Sequence, residues 1–433
     1  MNNASLELGG TNWAEKDGNI LGYSVGDTSG KYSPQEFTFA RGSNLSATRI
    51  DRAGLIVKGR ENVLLQSNSL DTSPWVKLDG ATLVSGQSGY DGSSDAWRIN
   101  ITNVSNSGLY QAIPLSGVYS YSIYAKAGDI NYLGFTNFAG SNYDIFFNLS
   151  NGTIANQSGF IDATITSAGN GFYRCTLTSV NPVYLQMKPS STASNTSTAG
   201  YIFMQDLQVE LGLAASPYIE TTTTSAQAGV LENTPRLNYT TGVANPYLLL
   251  EPSRTNQCSQ SEYIGSIDWN QGGITRSLVI TQTSEVNPEG SAICWKIQGT
   301  ASDNQLANNS STNSGTTITN SVYVKRVSGT SNVLLRNVNN SDTSFSLSVA
   351  DGWKRIDVTA TATSATARFY LNLLDFNDEI LVWGAQQEIG SYPTSYIPTY
   401  SVSATRAKDV CSKTNTSGII GQTEGTLFAE IQG

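Results

Sequence analysis

The chain has 433 residues, enough for two to four domains with buried cores. Charged residues make up only 14% and the formal charge is -9, so the surface is polar, sparsely charged and repels phosphate backbones, which excludes nucleic acid and anionic membrane as partners. Histidine is absent, which removes the commonest general base, the usual zinc ligand and every Ser-His or Cys-His nucleophile and leaves carboxylate chemistry or oxygen-ligated metal.

At the start of the chain, Met1-Asn2-Asn3-Ala4 lacks the basic and apolar regions of a signal peptide. No window holds 18 consecutive apolar residues, so neither an export signal nor membrane insertion is expected. Residues 1–45 carry Gly9-Gly10, Gly18, Gly22, Gly26 and Gly30 too closely for a core of their own, and read as an extended arm ordered by packing against something else. Its apolar stretches Ile20–Val25 and Phe37–Phe39 offer strands to neighbouring chains. Residues 46–228 and 229–400 then read as two β-sandwiches, each with its lead-in. Tyr119–Ala125 alternates strictly and Arg368–Leu373 is a near-continuous apolar strand, with Gly, Asn, Ser and Asp turn signals every few residues. Thr221–Ser225 reads as a short, stiff spacer. Residues 401–433 read as a connector and the first strand, Gly425–Ile431, of a further domain.

The two modules are copies. Gln66-Ser67 with Trp75 recurs as Gln260-Ser261 with Trp269, Trp97-Arg98-Ile99 as Trp295-Lys296-Ile297, and Ser122–Lys126 as Ser321–Lys325. Phe172-Tyr173-Arg174 is matched by Trp353-Lys354-Arg355, and Glu210-Leu211-Gly212 with Tyr218-Ile219 by Glu388-Ile389-Gly390 with Tyr396-Ile397. Collinear matches of this kind predict one fold used twice, an all-β chain of tandem antiparallel jelly-roll sandwiches.

The lead-in Phe37-Thr38-Phe39-Ala40-Arg41-Gly42-Ser43, followed by Ala47-Thr48-Arg49-Ile50 and Asn62–Ser67, resembles the opening of tailed-bacteriophage fibre and adhesin-like virion proteins. Pro235–Tyr239 with Leu248–Asn256 is the same phrase in fuller form. The modules are similar to the carbohydrate-binding-module-like jelly rolls of such proteins, and Ala4–Ala14 resembles the segment by which they attach to the particle. The resemblance implies a head or tail fibre located in the virion, with capsid or tail proteins as partners, host-surface glycans as ligands and a homotrimer as the assembly. On that reading Leu6, Leu8, Trp13, Leu21 and Tyr23 belong to the attachment and assembly arm.

Candidate site residues follow from differences between the copies. Tyr132, Phe135, Tyr143, Phe146 and Phe147 lie where the second module reads Asn332-Val333-Leu334-Leu335, so they are candidates for stacking on sugar rings, with ordinary packing the competing reading. Trp75, Trp97, Trp269 and Trp295 occupy matched positions, as a shared core demands, although flat indole faces also suit sugars. Trp353 stands outside that match. A glycosidase needs two carboxylates flanking one bond, and the single matched Glu per module, Glu210 and Glu388, reads instead as bonding backbone amides or Arg174 and Arg355. Neither an enzymatic activity nor a cofactor is expected; Asp206 is the residue that would ligate a structural Ca²⁺, although no DxDxDG loop is present. The cysteines, Cys175, Cys258, Cys294 and Cys411, read as buried hydrophobes, with one disulfide as the alternative. Against the non-enzymatic virion fibre stands a rival reading, the accessory carbohydrate-binding region of a secreted polysaccharide-degrading enzyme.

Overall fold

The computed structural model describes residues 6–420 except 9–13, 17–18, 26–31, 43–44, 103–106, 137–143, 183, 195–197, 241–242, 244, 271–277, 301–303, 312–313, 338–341, 364 and 418. Among these, the helical elements are 3-10 turns such as Ile267–Asn270 and Val349–Asp351, and the rest of the regular structure is antiparallel strand.

Both halves fold as two sheets packed face to face, and the sheets correspond strand for strand. In the first half one sheet runs Asp162–Gly169, Phe172–Val180, Val118–Ala127, Gly200–Leu211, Ala96–Ile101, Thr82–Gln87. The second half repeats it as Lys354–Thr361, Thr317–Ser328, Glu379–Ile389, Cys294–Gly299, Leu278–Thr283, without a counterpart of Asp162–Gly169. The facing sheets match Asp144–Asn148, Tyr132–Thr136, Tyr184–Ser190 and Gly108–Ala112 with Asp342–Phe345, Val333–Arg336, Thr366–Leu373 and Asn304–Ser311. Alternate residues of each pair of sheets meet in a core. In the first module Ile99, Ile123 and Met204 face Leu109, Leu133 and Met187; in the second Ile297, Val322 and Val382 face Leu306, Val333 and Leu371. Trp97 and Trp295 take the same place on equivalent strands, and with Trp75 and Trp269 they are buried in these cores, so the shared tryptophans are packing residues.

The duplicated phrases found in the sequence prove to be a duplicated polar lock. Asn62 donates to the carbonyls of Leu207 (3.2 Å) and Ile219 (2.7 Å) while its Oδ1 accepts from the amides of Leu64 and Val209. Asn256 does the same with Ala385 (3.0 Å), Ile397 (2.8 Å), Cys258 and Gln387. Ser67 shares a 2.6 Å hydrogen bond with the Tyr218 hydroxyl, as Ser261 does with Tyr396. Glu210 accepts from Gln208 and from the amide and hydroxyl of Ser216; Glu388 accepts from Gln386 and from the amide and hydroxyl of Thr394. These carboxylates therefore satisfy buried donors, and their arginine neighbours are Arg60 (3.8 Å) and Arg254 (4.0 Å) rather than Arg174 and Arg355. Arg174 and Arg355 instead lie over the rings of their cross-strand partners Tyr124 and Tyr323, at 5.7 and 5.4 Å.

Strand pairing redraws three boundaries. Thr221 is buried and its hydroxyl accepts from the Ser67 amide, so the expected spacer is built into the first lock. Ala226–Gly229 pairs with the lead-in strand Ile56–Asn62, and Ala404–Arg406 with Arg254–Asn256, so the second unit runs past residue 400. Val410–Ser412, within the span read as a connector, pairs with Tyr32–Ala40 of the arm, setting Cys411 opposite Phe39. The strand Gly425–Ile431 lies outside the described residues.

Strands of the arm also pair within the chain. Leu6–Glu7 and Ala14–Lys16 pair with Asn19–Val25, which pairs with Tyr32–Ala40, placing Ile20 opposite Phe37. Val410–Ser412 extends this pairing at the end of the strand, opposite Thr38–Ala40. A buried ionic cluster fastens this end. Arg41 pairs with Asp409 (3.1 Å), Arg236 with Asp409 and with Glu251 (2.8 Å), and Arg406 with Glu251 (3.2 Å). Of the assembly residues, Leu6, Leu8 and Leu21 are half-buried, Tyr23 pairs through its backbone with Glu7 and Pro34, and Trp13 lies outside the described residues.

The modules themselves are joined through the first lead-in. Lys58, on Ile56–Asn62, is buried with its Nζ 2.8 Å from Glu262 and in contact with Glu289, and donates to the Tyr400 hydroxyl at 3.0 Å. Ile56 donates its amide to the Pro288 carbonyl (2.9 Å) and packs its side chain with Trp383 and Tyr396. Val118, Leu213, Ile293 and Tyr400 close an apolar cluster across the junction.

Candidate functional site

Alternation along the facing sheet of the first module decides which expected aromatics can meet a ligand. Leu133, Phe135 and Phe147 point into the core, and Phe135 meets Phe147 edge-on with ring centroids 5.8 Å apart. Phe135 is therefore not a sugar platform. Phe146 takes the outward register opposite Gly134, yet it is fully buried: its ring lies against the backbone of Gly134, where a Cβ would come within 2.5 Å. Phe146 is closed to a ligand for that reason. Tyr132, also outward, is half-buried and its hydroxyl accepts from Asn148 at 3.1 Å; Tyr143 lies outside the described residues.

The same outward face brings together a pair that sequence reasoning missed. Tyr110 and Tyr184 come from segments 74 residues apart on adjacent strands and meet edge-on at 5.9 Å, both half-buried. Each stands next to a core residue, Leu109 and Leu185, so the alternation Leu109-Tyr110-Gln111 and Tyr184-Leu185-Gln186 is the signal that marks them as outward-facing. Near Tyr184, a cavity of about 20 Å³ lined by Tyr121, Phe135 and Phe160 has room for about one water. A more open cleft of about 180 Å³ lies at the module junction, between Phe160 and Val180 of one module and Tyr263 of the other. Both fall short of the several hundred cubic ångströms of an enclosing ligand pocket.

The second site is the corner around Asp206. In both modules the last core strand carries a bulge: Asp206-Leu207 oppose Ile123, and Gly384-Ala385 oppose Val322. The bulged residue is left-handed in each, φ 53° at Asp206 and 63° at Gly384, which explains a glycine there in the second copy. The bulge sets the Asp206 carboxyl, 6% exposed, at the floor of a corner where it accepts from the Tyr90 hydroxyl (3.1 Å) and Tyr90 stacks on Tyr124 with centroids 3.6 Å apart. Burial, reinforced by the charges of Asp95, Asp91 and Glu220, pushes Asp206 up to about 7. Gln205 donates to Asp95 (2.8 Å) and Asn68 donates to the same carboxyl (3.0 Å). Among the described residues no three His, Cys, Asp or Glu side chains converge on a point fit for a metal ion. Around Asp206, the candidate calcium ligand, Asp91 and Asp95 accept from Ser93 and Gln205. The cysteines are all unpaired, three buried and Cys411 half-buried.

No family model matches this sequence, and no curated protein does. Among solved structures the chain is similar to the N-terminal tandem CBM22 domain of Xyn10C from Paenibacillus barcinonensis, at 12% identity and TM-score 0.25, over 76% of this chain and 98% of that one. It is also similar to the enzymatically active domain of tailspike protein 4 of bacteriophage CBA120, at 10% identity and TM-score 0.22, over 30% of this chain and 22% of that one. An exo-β-1,3-galactanase from Phanerochaete chrysosporium follows at 9% identity and TM-score 0.21, over 88% of this chain and 96% of that one. At these scores none of the three carries an argument about what this chain does.

Proposed function

We propose that this chain is a non-enzymatic structural protein of a tailed-phage virion, a head or tail fibre whose N-terminal region attaches to the particle and whose sandwiches contact host-surface glycans. The observation that supports it most is the junction. Lys58 belongs to the first lead-in yet is buried against Glu262, Glu289 and Tyr400 of the second module, so bending the pair would strip a buried cation of its partners. A stiff tandem suits a projecting fibre, and the junction strand Ile56–Asn62 lies between lead-in phrases that resemble fibre proteins. Glycan contact is assigned to the open face carrying Tyr110, Tyr184 and Tyr132, where affinity per site is low and several copies on one particle raise avidity by roughly 10² to 10⁴. Self-association, as a trimer, belongs to the same proposal and rests on the fibre resemblance, since the arm's strands are paired within the chain.

Immunogold labelling of phage particles with antibody to the second module tests the reading. Labelled fibres on wild-type particles, lost when residues 1–45 are deleted from a protein that still melts cooperatively, are the expected result. Particles without label, together with this chain recovered fused to a secreted hydrolase, would overturn it in favour of the accessory-module reading. Light scattering of the purified chain reads the trimer directly.

A further inference from the structure

The cleft at the module junction has one lip that the duplication does not explain. Gly159, Phe160 and Ile161 lie between Thr153–Ala155 and Asp162–Gly169, two strands for which the second module has no counterpart, so this lip is an addition to the shared fold. Ser179 and Val180 border the cleft on the same module, and Tyr263 of the second module forms the opposite lip. Contacts across the junction hold the lips in place. Gln282 donates to Asp162 at 2.8 Å, Ile161 and Tyr263 both pack on the second core and on the junction cluster, and the Tyr263 ring rests against Trp295 with centroids 5.4 Å apart. Ser179 is the residue that points to an occupant. It is 4% exposed, and its hydroxyl has no hydrogen-bond partner among the described residues, nor has the hydroxyl of the half-buried Tyr263. A buried hydroxyl left unpaired costs about 1–3 kcal/mol, which a ligand hydroxyl would offset. The size of the cleft, about 180 Å³, limits what that ligand can be. An engineered apolar cavity of about 150 Å³ takes up benzene, so there is room here for one six-membered ring and not for two.

We infer that this cleft is a subsite for the terminal residue of a neutral glycan, a single pyranose ring set between Phe160 and Tyr263 with its hydroxyls bonded to Ser179 Oγ and Tyr263 Oη. The inference rests on the glycan reading above and adds to the open face a place where one sugar residue is held from two sides. No lysine or arginine lines the cleft, so the carboxylate or sulfate of an acidic sugar would be taken from water without a cation to receive it. A neutral ring is selected for that reason. Because its lips belong to different modules, the subsite exists only while the modules are docked, and an occupant would tighten the junction by mass action.

Saturation-transfer NMR on the full chain tests the subsite with the methyl glycosides of glucose, galactose, mannose and N-acetylglucosamine at tens-of-millimolar concentration. Saturable binding of at least one of them is expected. Val180→Trp, at a border position that is 41% exposed, fills the cleft from outside the core and should abolish that binding. Ser179→Ala should weaken it about three- to ten-fold. Tyr110→Ala with Tyr184→Ala strips the open face and should leave binding at the junction in place. Binding that survives Val180→Trp, or that disappears only with the tyrosine pair, would overturn the subsite and leave the glycan reading standing. Silence from all four glycosides would overturn the subsite as well, and a glycan array on the same protein then reads whether the wider glycan reading falls with it.

Discussion

The second module buries at its corner what the first module leaves in water, and the difference teaches what a duplicated fold does with a duplicated surface. Both corners rest on the same bulge, the same turn and the same asparagine lock. In the second, Glu262 accepts from Lys58, Tyr396 and Tyr400, while burial raises its pKa; Glu289 is held below the ordinary range because Lys58 and Arg60 outweigh its burial. Lys58 itself is raised, because Glu262 and Glu289 outweigh the burial that alone would lower it. In the first module burial, with the like charges of Asp95, Asp91 and Glu220, shifts Asp206 upward.

The strongest way to break this comparison is to remove the cation from the filled corner. Lys58→Met takes the ammonium group from Glu262 and Glu289, leaving the first with its tyrosine hydroxyls and the second with Arg60 and Ser291, and should destabilise the second module by about 3–5 kcal/mol, read from urea unfolding, with Glu262→Gln on that background restoring part of the loss. If Lys58→Met alone leaves the unfolding midpoint unchanged, the junction is not what holds the modules together.

Next in size are the two asparagine locks. Asn62→Ala and Asn256→Ala each strand two buried carbonyls and two buried amides and should each lower stability by about 2–4 kcal/mol. Near-equal losses sharpen the equivalence of the modules. A loss confined to one would show that the copies have diverged in what carries their stability.

A smaller effect is expected from Asp206, and its sign is specific. With a folded-state pKa of about 7 and an ordinary unfolded one, the folded protein binds a proton that the unfolded chain has released, so stability falls as pH rises from about 4 to about 7 and is flat above. Asp206→Asn should therefore stabilise the first module by about 1–2 kcal/mol at pH 8 and by nothing at pH 3.5, measured as a pH series of melting temperatures. The acidic limit is where the wild type and variant must converge; a gain that persists there would have a cause other than titration.

The smallest difference lies between matched tryptophans. The Trp97 indole donates to the Asn68 carbonyl at 2.9 Å, whereas the buried Trp295 indole nitrogen has no hydrogen-bond partner among the described residues. Trp97→Phe should cost about 1 kcal/mol more than Trp295→Phe in chemical denaturation.

The fold was legible from residues that repeat. Trp97 and Trp295, Ser67 and Ser261, and Glu210 and Glu388 sit at equivalent places in two sandwiches, because a lock of buried donors and acceptors admits few other side chains and so leaves the same letters in both copies. The partners of Arg174 and Arg355 were not legible, since the rings they cover, Tyr124 and Tyr323, belong to the neighbouring strands. Candidate ligand residues were far less legible. Phe135 and Phe146 are distinguished from Tyr132 only by strand register and by the bare backbone of Gly134, and Tyr110 meets Tyr184 only when their strands pair. The pairing of the arm was also beyond the local sequence, since the end of its last strand, Thr38–Ala40, meets Val410–Ser412, about 370 residues away.

By itself, then, the sequence determined the all-β class, the duplication and the absence of histidine chemistry, because composition, strand period and repeated polar residues are local or self-referential properties. Only the tertiary structure decided which copy of the corner is filled. Lys58 looks like any lysine in a strand until the second module folds against it, and Asp206 looks like any aspartate until a bulge sinks it among like charges. Both outcomes depend on which surfaces meet, a property of pairs of distant segments that no single stretch of residues encodes.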